Sequence, residues 1–199
     1  MPVSFEVASV YTDPRGHVGA QEIVWLYERQ GKKITVRDKN EAVGTTVFLY
    51  PDDRGRLREA QVVLAVRGKD RVLNFSFDPE KPALVPDSLP PADFLNVLLD
   101  SGDWPREYSV REEVAGVAFA STLRLIREEL TLDQAMDEGF IRAEDTRRFD
   151  DQMFWVYRVI NVSAGPEEEE ILMQVWPKNG SFWIFEAAPH RSSHFIFKD

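Results

Sequence analysis

The chain has 199 residues, with 24 lysines and arginines against 34 aspartates and glutamates, a formal charge of −10. This length suits one domain or two small ones, and 43% apolar residues including 13 Phe, 5 Tyr and 5 Trp supply a core, which excludes intrinsic disorder. The lack of cysteine excludes disulfides, thiol nucleophiles and cysteine zinc sites. No run approaches the roughly 20 consecutive apolar residues of a membrane helix.

Residues 3–11 alternate, with Val3, Phe5, Val7, Ser9 and Tyr11 on one side and Ser4 and Glu6 among those on the other, the period of a half-buried strand. Runs at 21–28, 33–37, 45–50, 60–66 and 71–77 are similarly rich in Val, Ile, Leu, Phe or Tyr. Segments 12–19, 29–32, 38–44, 51–55 and 67–70 carry the Gly, Asp, Asn and Pro of turns, and none has room for a crossover helix, so consecutive strands are expected to fold back as an antiparallel meander.

Pro79, Pro82, Pro86, Pro90 and Pro91 then interrupt regular pairing and predict a linker or extended strap. Phe94, Leu95, Leu98 and Leu99 fall at helical spacing, so 92–99 is expected to be a short amphipathic helix started by the prolines before it. Residues 116–127 alternate as a strand. Thr131 and Gln134 have the spacing of a capping box for a helix ending near Gly139, followed by a charged turn or helix over 142–150. Strand runs at 153–162, 171–176, 181–187 and 194–197 form a terminal meander, with Asn179-Gly180 suited to a tight type I′ hairpin.

The fold expected is therefore mainly β (α+β), a long antiparallel meander of about ten strands curled into a barrel or half-barrel with two or three short covering helices. A single domain over 1–199 is the first expectation. The alternative is an N-terminal β subdomain over 1–78, a proline-rich strap over 79–91 and a C-terminal α+β subdomain over 92–199.

Charge is unevenly spread. Residues 1–78 carry 12 basic and 11 acidic side chains, whereas residues 79–199 carry 12 and 23. Nucleic-acid binding needs clustered cation excess, so it is not expected of either half. Only three histidines are available to any imidazole chemistry. His17 lies with Asp13 and Arg15 in a glycine-containing loop, the best catalytic constellation the chain offers, though an ordinary turn explains the same residues. Glu186, His190 and His194 recur at four-residue spacing as a weak metal candidate, which Pro189 denies the helix it would need. The glycine and serine signatures of phosphate, dinucleotide and hydrolase sites do not occur, and no cofactor is expected.

The informative anomaly is apolar character on both faces of the terminal strands. Phe154, Val156 and Ile160 oppose Met153, Trp155, Tyr157 and Val159, and Phe182 and Ile184 oppose Trp183 and Phe185. Each large side chain left in water forfeits about 1.5 to 3 kcal/mol, so the second face requires a cover: the helices, a second subunit or an apolar ligand. The functional expectation is a non-catalytic carrier holding an apolar or amphiphilic, lipid-like molecule in a concave sheet, with Trp155, Tyr157, Trp176, Trp183 and Phe185 as the lining. The alternatives are a protein-interaction module, which includes a homodimer, and a small enzyme built on the His17 loop. The N-terminus lacks a signal-peptide pattern, which points to the cytoplasm; an exported protein whose leader has been replaced by Met1 is the other expectation.

Overall fold

The computed structural model describes residues 3–12, 23–38, 43–66, 68–77, 80–81, 83–86, 107–114, 117–163, 168–180, 183–189 and 191–197. Alternating β-branched and aromatic residues between short polar turns give, among these, the strands β1 (Val3–Thr12), β2 (Ile23–Gln30), β3 (Lys33–Asp38), β4 (Val43–Pro51), β5 (Leu57–Val66), β6 (Lys69–Ser76) and β7 (Ala83–Pro86). The second half supplies β8 (Glu107–Val114), β9 (Val117–Leu130), β10 (Phe154–Asn161), β11 (Glu169–Pro177), β12 (Phe185–Ala188) and β13 (Arg191–Phe197).

The strands form one sheet in the order β6-β5-β4-β3-β2-β1-β13-β12-β11-β10-β9-β8-β7. The first and last strands of the chain thus pair at the middle of the sheet, with Val10 opposite His194 and Tyr11 opposite Ser193. From there each half runs outward as a meander. The two end strands, β6 and β7, lie close to each other.

Neighbouring strands are antiparallel apart from β7 and β8, which are parallel. The parallel pair is a departure from the expected uniform meander, and it arises inside the proline segment. An end strand tolerates Pro86, because one side of its ladder goes unpaired. The long connection over 87–106 gives a parallel return the length it needs. The predicted helix over 92–99 falls in that connection, outside the described residues. The β8 strand was hidden in the sequence because Glu107, Arg111, Glu112 and Glu113 dilute its alternation, although Tyr108 and Val110 are both buried.

At the β4–β5 turn the Asp52 carboxylate accepts from the backbone N–H groups of Arg54 and Arg56, both at 2.9 Å, and from Arg58 Nε at 3.1 Å. These bonds hold it at about 2, below the usual carboxylate range, with the Arg56 backbone bond the largest cause.

Helix α1 (Leu132–Asp137) begins with the predicted capping box: Gln134 N donates to Thr131 Oγ1 at 3.2 Å and Thr131 N donates to Gln134 Oε1 at 2.9 Å. Gly139, at φ 75°, ends the segment in the left-handed region that glycine tolerates. A 3-10 turn over Ala143–Arg148 follows, tied down by Arg142, which donates to buried Asp145 from Nε and Nη2 at 2.8 and 2.7 Å.

The Asn179-Gly180 step is not the expected type I′ hairpin. Neither residue has positive φ. Gly180 N instead donates to the Pro177 carbonyl at 2.8 Å, and strand pairing with β11 resumes only over Phe185–Ala187. A Cβ on Gly180 would stand 2.9 Å from Pro177 Cβ, so glycine is required there by close approach.

Two cores follow from the alternation. On the inner face, Ile34, Val47, Val62 and Phe75 of β3 to β6 belong to one buried cluster with Val110, Leu125, Tyr157 and Leu172 of β8, β9, β10 and β11, so the two halves of the sheet pack against each other. On the outer face, Phe154, Val156, Met173, Val175 and Phe185 are covered by Ala135, Phe140, Ile141 and Phe149 from α1 and the turn that follows. The apolar residues on both faces of β10 and β11 are thereby sheltered largely by the same molecule: one face by the helical segment, as one of the expected covers, and the other by the opposing strands.

Candidate functional site

Strand register sets the geometry of the inner face. Arg127 of β9 pairs with Tyr157 of β10, Tyr157 with Gln174 of β11, and Gln174 with Glu186 of β12. Directly opposed residues project to the same side, so four polar side chains form a row across four adjacent strands. One step to one side lies the apolar row Leu125, Val159 and Leu172; one step to the other lie Glu129, Trp155 and Trp176. The result is a polar band in an apolar wall, edged by two indoles.

The band is hydrogen-bonded. Trp176 Nε1 donates to Gln174 Oε1 at 3.1 Å, and Gln174 Nε2 donates to Glu186 Oε2 at 2.8 Å. Gln174 is 0% exposed and Glu186 5%, so these bonds operate away from water, where leaving either group unpaired would cost about 1 to 3 kcal/mol or more. Burial pushes the Tyr157 hydroxyl up from its ordinary value, and a hydrogen bond from Arg127 works in the opposite sense. At the open end, Arg127 Cζ lies 4.3 Å from the centroid of the Trp155 ring and Lys178 Nζ lies 4.8 Å from the same ring, within range of cation–π attraction.

Of the residues singled out by sequence, Trp155, Tyr157 and Trp176 come together on this face. Phe185 does not join them. It lies on the outer face, 4.9 Å from the Phe140 ring and 4.7 Å from the His194 ring. Trp183 meets Phe195 edge-on. Glu186 pairs with Ser193 while His194 pairs with Phe185, so Glu186 and His194 are one register step apart and face opposite sides of the sheet. Among the described residues no three His, Cys, Asp or Glu side chains gather as a metal site. Asp13, Arg15, His17 and His190 lie outside the described residues.

His194 is held below its ordinary value of 6.5, first by burial and then by the positive charge of Arg142. Its Nδ1 is buried and has no hydrogen-bond partner among the described residues.

Sequence reasoning passed over Gln174, Arg127 and Lys178. The detectable signal was Gln174 itself, one amide inside the apolar run Ile171–Trp176. Its relation to Arg127 and Glu186 depends on register, which spacing along one strand does not reveal.

Comparison with protein-family models, curated proteins and solved structures finds no match to this chain. Among the described residues no helix is long and apolar enough to cross a membrane.

Proposed function

We propose that the protein is a non-catalytic binder or carrier of an amphiphilic small molecule, held on the inner face of a sheet curled into a half-barrel. The observation that carries this reading is Arg127 at the exposed end of the polar row, beside the partly exposed rings of Trp155 and Trp176, with Tyr157, Gln174 and Glu186 buried behind it. Small-molecule sites are mostly apolar with a few placed polar groups that orient the ligand, and this face has that composition. Both indoles remain partly exposed, which leaves ring surface to receive a ligand. The nearness of β6 and β7 supports the curl.

Native mass spectrometry of gently purified protein tests the reading. The expected result is a mass above that of the bare chain, lost on organic extraction, with an indole fluorescence change on reloading. A bare-chain mass together with fluorescence indifferent to every amphiphile offered would overturn it.

A second reading, a protein-interaction module or homodimer, draws on exposed Val117 and Phe119 at the start of β9, which are 55% and 52% exposed. Light scattering separates the two. A stable dimer dissociated by Phe119→Ser favours association, and a monomer that takes up ligand favours the carrier.

A further inference from the structure

Most described cations on the strands and turn around the inner-face site are neutralised by a carboxylate. Arg124 holds Glu107 and Glu168, Arg158 holds Glu128 and Glu170, and Lys178 holds Glu129 at 2.7 Å. Arg127 forms no such pair within the described structure, although it directly precedes Glu128 and Glu129 in a chain with ten more acids than bases. Those two carboxylates go to Arg158 and Lys178 instead. Arg127 is left with the Trp155 ring and the Tyr157 hydroxyl, and shares the indole with a second cation, Lys178.

We propose that Arg127, set against the Trp155 ring, forms an oxyanion subsite, with Tyr157 beside it and Lys178, held by Glu129, at its edge. Its ligand is a single-chain amphiphile with a carboxylate or phosphate head, whose hydrocarbon chain lies along Trp155 and Trp176. This inference rests on the carrier reading and deepens it by naming the head group. A guanidinium presents paired N–H donors that match two oxygens of one anion. The chain's overall negative charge does not decide against an anion. At physiological salt, charges farther than about 8 Å are largely screened, and the Arg127 guanidinium is in contact range.

The test titrates the full chain with four twelve-carbon probes below their micelle concentrations, read by indole fluorescence and calorimetry: dodecanoate, dodecyl phosphate, dodecyltrimethylammonium and dodecanol. One or both anions should bind about tenfold or more tighter than the cationic probe, the tighter of the two identifying the head group. Arg127→Gln should cost the anions about tenfold in affinity, or about 1.4 kcal/mol, and leave dodecanol binding unchanged, while Arg127→Lys retains part of the affinity. An unchanged melting temperature confirms that the variants are folded. If Arg127→Gln binds the anions as the parent does, or the cationic probe binds as tightly as they do, the oxyanion subsite is wrong while the carrier reading stands. If none of the four binds, the carrier reading falls with it.

Discussion

Gln174 is the residue on which the inner face turns. Its amide uses both ends, accepting from Trp176 and donating to Glu186, and it does so with no exposed surface. Replacing Gln174 with Leu keeps the volume and deletes the donor to a buried carboxylate, so a loss of about 1.5 to 3 kcal/mol is expected in urea unfolding at neutral pH, with Trp176 fluorescence altered in the folded state. His194 gives a pH dependence. Its folded value lies below the ordinary 6.5, so the unfolded chain binds the proton more readily. Its contribution to stability is therefore intact above about pH 6.5 and is lost as pH falls toward the folded value. His194→Phe, with a ring still set against Phe185, should flatten that descent in melts run between pH 8 and 5; a slope identical to the parent's would contradict the assignment.

At the scale of elements, the helical segment after β9 is a lid on the outer core. Helix α1 has only six residues and cannot sustain itself, so its cap and its packing must hold it. Thr131→Ala removes the hydroxyl half of the capping box and should cost about 1 kcal/mol. Hydrogen exchange should rise first over residues 132–149, while the β10–β11 pairing stays protected. Uniform acceleration across the sheet would instead show that the lid and the sheet open as one unit. The β8–β9 and β10–β11 ladders are braced on the outer face by Arg124 and Arg158, but exposed pairs of this kind contribute little each, and the buried rows beneath them carry the stability.

For the whole molecule, the decisive contact is between the chain's ends. Pairing of β1 with β13 joins two meanders into one sheet, and the inner core draws side chains from both. Far-UV circular dichroism and indole fluorescence should therefore report one coincident unfolding transition. Two separated transitions would mean that residues 1–78 and 92–199 fold as independent subdomains. Deleting β13 should abolish the transition altogether, because both β1 and β12 lose a partner.

Short-range alternation in the sequence was sufficient to determine most of the strands, the capping box of α1 and the two-faced greasiness of β10, since a side-chain period of two and a three-residue cap are local properties of the chain. The same locality limited it at β7 and β8, where prolines and charges mask the period, and at Asn179-Gly180, where the turn answers to Pro177 instead of to its own dipeptide. Only the tertiary structure decided what covers each apolar face, that Phe185 and Trp155 lie on opposite sides, and that Arg127, Tyr157, Gln174 and Glu186 stand in line. Those relations follow from register between strands up to 59 residues apart in the chain, from Arg127 to Glu186, and register is settled by the pairing of the whole sheet, which no single segment encodes.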